Sequence, residues 1–191
     1  MKQDIILCGV GGQGILSIAT VIGEAATAAG LSLKQAEVHG MSQRGGDVQS
    51  NLRLSDAVIY SDLIPRGGAD LIISMEPMEA LRYLPYLSST GRIVTSSKPF
   101  LNIPDYPSAE SLYAELDSLG CVTRLDIEEM AALHKLPKGA NMILLGMAAP
   151  YISILESSRL REAIARVFAA KGEAVVASNL LAFDLGNNKQ L

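Results

Sequence analysis

Gly9-Val10-Gly11-Gly12-Gln13-Gly14 is the stretch of this chain best suited to holding a ligand. It contains Gly-x-Gly-x-x-Gly at Gly9, Gly11 and Gly14, directly after a short apolar run and at the head of a helical pattern. In that setting the first glycine allows a tight turn and the second lets backbone approach a diphosphate. The third lets helix and strand pack closely, and the helix N-terminus turns free N–H groups toward an anion. Glu37 closes the second strand pattern, where a dinucleotide fold keeps its ribose-binding acid. The extra Gly12 makes the turn more open than a dehydrogenase fingerprint needs. From the residues alone three readings stay open: contact to a phosphate or nucleotide, an ordinary strand-to-helix turn, and an interface.

A second candidate follows at Gln43-Arg44-Gly45-Gly46. An arginine beside two glycines sets a bidentate guanidinium on a backbone that can approach a ligand or partner closely, or else it is a solvated loop arginine. His39 and His134, the only histidines, lie far apart and read as structural or surface residues. Cys8 and Cys121 read as small core residues. Two cysteines without Cys-x-x-Cys encode neither an iron–sulfur cluster nor a cysteine-rich zinc site. There is no Gly-x-x-x-x-Gly-Lys-Ser/Thr and no Gly-x-Ser-x-Gly, which removes the P-loop NTPases and the common serine hydrolases. What remains is a binding turn without a catalytic set.

The elements that must position these residues alternate along the chain. Ile5–Cys8 is a strand apolar on both faces. Gly14–Gly30 is a helix with Ile15, Ile18, Ala19, Ile22 and Ala26 at helical spacing and Gly30 as its stop; Leu33–Val38 is a second strand. That order describes a βαβ unit. Val48–Leu54 alternates, with Gln49, Asn51 and Arg53 on a wetter face, so the sheet is expected to be mixed. Asp70–Met75, Arg92–Ser96 and Cys121–Leu125 complete the strands. Glu76–Leu87 and Ser108–Leu119, the latter capped by Ser108, are helices between them. From Ile127 the pattern is helical: Ile127–His134, Ala140–Ala149, Arg159–Ala170 and Glu173 to about Leu185. A polar tail closes the chain over 186–191. The expected fold is α/β: one three-layer, Rossmann-like α/β/α sandwich over residues 1–191, with a mostly parallel, mixed sheet and a helical C-terminal part.

Composition narrows the partners. Of 191 residues 49% are hydrophobic and 19% charged, enough for a large core and the opposite of a disordered chain. A formal net charge of −4 disfavours nucleic acid bound through bulk charge. The N-terminal apolar run is too short for a signal peptide, and Gly139–Glu156 is too interrupted to cross a membrane, so a cytoplasmic protein is expected.

Taken together, Asp4-Ile-Ile-Leu-Cys-Gly-Val-Gly-Gly-Gln-Gly, Glu37-Val-His-Gly-Met-Ser-Gln-Arg-Gly-Gly and Val48-Gln-Ser-Asn-Leu-Arg-Leu-Ser resemble the gamma-type domain of 2-oxoacid:ferredoxin oxidoreductases. Within that family they are most similar to the small (beta) subunit of the indolepyruvate branch. The resemblance implies a complex that oxidatively decarboxylates a 2-oxoacid to an acyl-CoA and passes two electrons to ferredoxin. It implies thiamine diphosphate with Mg²⁺ and [4Fe–4S] clusters on a large (alpha) partner subunit, with coenzyme A as co-substrate and no cofactor held by this chain alone. Gly9, Gly11, Gly12, Gln13 and Gly14 would form the glycine turn, and Arg44, Gly45 and Gly46 the loop beside it. An isolated chain is expected to be inactive and to cover part of its partner surface as a homodimer. The other reading from the residues is a free-standing NAD(P)-binding oxidoreductase, which rests on Gly9, Gly11, Gly14 and Glu37.

Overall fold

A computed structural model describes residues 1–39, 46–101 and 103–188, with backbone only at His39. Six strands form one sheet in the order β2-β3-β1-β4-β5-β6. They are β1 (Lys2–Val10), β2 (Ser32–His39), β3 (Asp47–Ser55), β4 (Ala69–Ser74), β5 (Leu87–Ser96) and β6 (Val122–Leu125). β1, β4, β5 and β6 run parallel, while β3 is antiparallel to both β1 and β2. The sheet is mixed, as its sequence patterning predicts.

The side-chain alternation of the central strands divides the core in two. Ile5, Leu7, Leu52, Leu54, Leu71, Ile73 and Val94 point to one face. There they meet α1 (Ile15–Ala28), α4 (Ile127–Leu133), α5 (Ala140–Ala148), α6 (Ser157–Phe168) and α7 (Glu173–Asn187). Ile6, Cys8, Ile72 and Ile93 point to the other, against α2 (Pro77–Arg82) and α3 (Ala109–Ser118). These are the three layers expected of an α/β/α sandwich, seven helices among the described residues.

Several local expectations hold for the reasons given by sequence. α1 stops at Gly30, whose φ of 73° suits glycine, and Leu31 N–H returns to Ala26 O at 3.0 Å. Ser108 caps α3 by accepting from Ser111 N–H at 3.2 Å. Three expectations are corrected. The helix predicted over Glu76–Leu87 ends at Arg82: Pro85 cannot continue it, so residues Leu84–Tyr86 form a 3-10 turn and β5 starts at Leu87. The wetter face of β3 is covered, because the connection to β4 folds back over it. Arg53 donates to Ser61 O and Leu63 O, both at 3.0 Å, and Asn51 Oδ1 accepts from Ile64 N–H at 3.3 Å. And β1 and β2 are not neighbours, since β3 lies between them.

α5 and α7 cross at backbone contact. A Cβ placed on Gly146 would lie 2.1 Å from Phe183 O, and one on Gly186 would lie 2.0 Å from Ile143 O. No side chain larger than hydrogen fits either point at this spacing. The pair forms the outer wall of the cleft described next.

Candidate functional site

The parallel strands end at one edge of the sheet, where the glycine turn meets Gly46, the last residue of the second candidate segment. Val10 closes β1 opposite Asp47, which opens β3, so the 11–14 turn and residue 46 are held side by side. Gly11 N–H donates to Gly46 O at 2.9 Å and joins them directly. Arg44 and Gly45 lie outside the described residues.

The turn is braced from two sides. Val10 N–H donates to Gln13 Oε1 at 2.7 Å, and Gln13 Nε2 donates to Met75 O at 3.4 Å, tying β1 to the end of β4. The side chain of Gln13 is therefore committed to backbone groups at the ends of β1 and β4. On the other side Asn141, in the first turn of α5, donates from Nδ2 to Gly14 O at 3.2 Å, while its Oδ1 accepts from Met142 N–H at 2.9 Å. Gly14 has φ 86°, and a Cβ there would sit 2.7 Å from Asn141 Nδ2. The left-handed conformation favours glycine at this position. Gly12, with φ 101°, faces open space, with nothing within 4 Å of a Cβ. Gly9 is tightly packed, its Cβ position 2.6 Å from Ile15 Cδ1.

Two clefts flank the turn. One, of about 570 Å³, lies between Gly12–Ser17 and the starts of α5 and α7, with Glu128, Lys138, Asn141 and Lys171 in its walls. The other, of about 340 Å³, is lined by Val10, Ile15, Leu16 and Val48 and is mainly apolar. Glu128 sits in the first turn of α4, accepts the Ser96 hydroxyl at 2.9 Å, and has its pKa pushed up by burial. Lys138, Asn141, Lys171 and Glu128 were not singled out in the sequence. They come from segments more than a hundred residues beyond the glycine turn, and no motif links them to it.

On the opposite face of the sheet a buried polar cluster supports the same edge. Glu76, fully buried, caps α2 by accepting from Glu79 N–H at 2.9 Å. It also accepts from Phe100 N–H at 3.2 Å and from the Tyr106 hydroxyl, which anchors the chain after β5. Tyr83 Oη donates to Asp47 Oδ2 at 3.4 Å, next to Gly46. Burial raises the pKa of Glu79, and its ion pair with Arg82 at 2.8 Å opposes that shift. Cys8 is fully buried with its thiol pKa raised by desolvation, so it is a core residue without thiolate reactivity. Cys121 is half-buried rather than core, and His134 is exposed at the end of α4.

The dinucleotide reading loses its acid. With β3 interposed, Glu37 lies two strand spacings from β1, about 10 Å, instead of on the adjacent strand. Its carboxylate accepts from Gln35 Nε2 at 2.6 Å along β2.

A [4Fe–4S] cluster takes four thiolates, and the sequence holds two cysteines, one of them buried in the core. Among the described residues no group of three His, Cys, Asp or Glu side chains is arranged to hold a metal ion. With two cysteines the chain does not supply the four thiolates of a cluster. No helix of the described residues is long and apolar enough to cross a membrane.

Residues 4–188 match the pyruvate ferredoxin/flavodoxin oxidoreductase family. The chain is 37% identical to the indolepyruvate oxidoreductase subunit IorB of Pyrococcus horikoshii, over 97% of this chain and 95% of that protein. It is 33% identical to the subunit of the same name from Archaeoglobus fulgidus, over 100% of this chain and 96% of that one. The solved gamma subunit of a keto/oxoacid ferredoxin oxidoreductase from Geobacter sulfurreducens superposes with a TM-score of 0.71 at 20% identity. That match covers 99% of this chain and 96% of the other and shows a shared fold.

Proposed function

We propose, from the premise that the chain belongs to the pyruvate ferredoxin/flavodoxin oxidoreductase family, that it is the small subunit of a cytoplasmic 2-oxoacid:ferredoxin oxidoreductase acting on indolepyruvate or a related arylpyruvate. The complex oxidatively decarboxylates the 2-oxoacid, transfers the acyl group to coenzyme A and delivers two electrons to ferredoxin. The observation that carries this reading is the 37% identity to an indolepyruvate oxidoreductase subunit along 97% of the chain. The meeting of the glycine turn with Gly46 at one sheet edge agrees with it.

Thiamine diphosphate with Mg²⁺ and the [4Fe–4S] clusters belong to the large partner subunit, and a chain with two cysteines, where a cluster takes four thiolates, supports the cluster part of that assignment. The contribution of this chain is then positional. Gly9, Gly11, Gly12 and Gly14, shaped by Gln13 and continued by Arg44, Gly45 and Gly46, form an edge that faces the large subunit. There they border the path of coenzyme A, with backbone N–H groups and Arg44 as anion contacts.

The test is co-expression with the large subunit, followed by methyl viologen reduction with indolepyruvate, pyruvate or 2-oxoglutarate, each with coenzyme A. Aryl-specific activity that needs both chains supports the reading. A chain that forms no complex and binds NAD or NADP by itself contradicts it.

A further inference from the structure

The connection from β5 to α3 carries an apolar tip that folding leaves uncovered. It starts at residue 97, on the edge where the parallel strands end. Phe100, Leu101 and Ile103 are all exposed on it, Leu101 at 78%. Apolar surface in water is unfavourable, yet the segment that presents it is firmly held. Pro99, Pro104 and Pro107 restrict its backbone. At its start Tyr113 Oη donates to Ser97 O, and Lys98 N–H donates to Ser96 Oγ at 3.1 Å. Further along, Glu76 accepts from Phe100 N–H at 3.2 Å and from the Tyr106 hydroxyl, on either side of the tip. A fully buried carboxylate is thus committed to fixing three apolar side chains at the surface.

The tip continues the edge of the glycine turn. Glu76 directly follows Met75, whose carbonyl accepts from Gln13 Nε2 at 3.4 Å, so consecutive residues brace the loop and the turn. Leu16, in the first turn of α1, and Val38, at the end of β2, are exposed along the same edge. Exposed charges flank the tip in sequence at Lys98, Asp105 and Glu110. An apolar centre with a polar surround is the make-up of a protein interface. A second exposed apolar set, Val58, Tyr60 and Leu63, lies on the connection that leaves β3 at the opposite edge, where Ser55 pairs with Lys2.

We propose that the 97–107 loop is a pre-formed docking element for the large subunit. Phe100, Leu101 and Ile103 enter an apolar pocket of that chain, and Glu76 and Tyr106 position them. The inference rests on the function proposed above, which supplies the occupant, and it adds a binding surface to the same edge. A loop already held in its bound shape gives up little conformational freedom on association, so its apolar contact is realised as affinity.

The experiment measures the Kd of the purified chain for the immobilised large subunit by biolayer interferometry, for the parent and for Leu101→Ser, Tyr106→Phe and Tyr60→Ser. Leu101→Ser raises Kd about thirtyfold, the effect of a hot-spot residue. Tyr106→Phe, which removes one anchoring hydrogen bond, raises it about fivefold. In the Leu101→Ser background the same change costs less than about twofold, a coupling that a general folding defect does not produce. Tyr60→Ser, at a side chain 92% exposed on the other set, leaves Kd where it was.

A parent chain that binds while Leu101→Ser binds equally well overturns this inference and leaves the subunit reading standing. A parent chain with no affinity for the large subunit overturns both. If Tyr60→Ser weakens binding as much as Leu101→Ser, docking is not confined to the tip and the proposal falls. It falls also if Leu101→Ser turns a dimeric isolated chain into a monomer in sedimentation while its Kd for the large subunit is unchanged, since the tip then belongs to a second copy of this chain.

Discussion

Replacing Gly146 with alanine tests whether α5 and α7 owe their position to backbone contact. The new Cβ would stand 2.1 Å from Phe183 O and 2.8 Å from Asn187 N, and protein Cβ atoms do not approach other atoms closer than 3.0 Å. The helices must part by roughly 1 Å at the crossing, which loosens the packing of Ile143, Met147, Ala182 and Phe183 around it. Overpacking of this kind costs about 3 kcal/mol. Alanine returns about 1 kcal/mol through its better helix propensity, leaving a net loss of about 2 kcal/mol. For a chain of this length that is a fall of about 4–8 °C in Tm. Gly186→Ala, with its Cβ 2.0 Å from Ile143 O, behaves alike. Gly23→Ala in α1 is the control, because its Cβ meets the end of the Leu33 side chain, Cδ2 at 3.2 Å, which can move aside. Stability there changes by less than about 1 kcal/mol. The assay is thermal and urea unfolding of the three variants. A Gly146→Ala chain as stable as the parent, or more so, refutes the backbone-contact account and frees α5 from fixing Asn141 and Lys138 beside the glycine turn.

Three other outcomes are expected. Gln13→Met keeps the volume but leaves the buried Val10 N–H without its acceptor, costing about 2 kcal/mol in urea unfolding; an unchanged urea midpoint means the brace is dispensable. Arg53→Met removes the bidentate partner of the fully buried Asp4, held at 2.8 and 3.0 Å, and costs about 3 kcal/mol, whereas Asp4→Leu/Arg53→Met recovers most of that loss. Equal losses in the single and double variants would show that packing, not charge, sets the penalty. Burial holds the Glu128 carboxyl above its ordinary 4.5, so the folded state binds the proton more tightly than the unfolded one. The stability this gives is full below 4.5 and is lost as pH rises through the folded-state value. Glu128→Gln therefore gains Tm relative to the parent as pH is raised from 4 to 7, and a difference that is flat with pH contradicts the assignment.

Much of the fold was legible because its signals are local. The doubly apolar β1 and β4, the Ser108 cap, the Gly30 stop and the glycine turn each depend on a few neighbouring residues. The strand order was not legible. β1, α1 and β2 read as a closed βαβ unit, yet β3 inserts between the two strands, and nothing in residues 5–38 encodes that. The same insertion moved Glu37 away from the turn. The face of β3 carrying Asn51 and Arg53 looked wet because polar residues alternate there. Its partners, Asp4 and the carbonyls of Ser61 and Leu63, are distant enough in sequence to leave no pattern. The candidate site divides along the same line: its glycine side is a motif, while Lys138, Asn141, Lys171 and Glu128 are assembled by tertiary packing alone.

The central claim, that this chain works as the small subunit of an arylpyruvate:ferredoxin oxidoreductase, is tested most directly by reconstitution. The separately purified chain is titrated into the proposed large subunit, and indolepyruvate- and coenzyme A-dependent methyl viologen reduction is recorded. The account predicts that neither chain is active alone and that activity rises to a plateau at a fixed ratio of the two. A large subunit that reaches full activity without this chain, or a mixture inert toward every 2-oxoacid while this chain alone binds NAD, would contradict it.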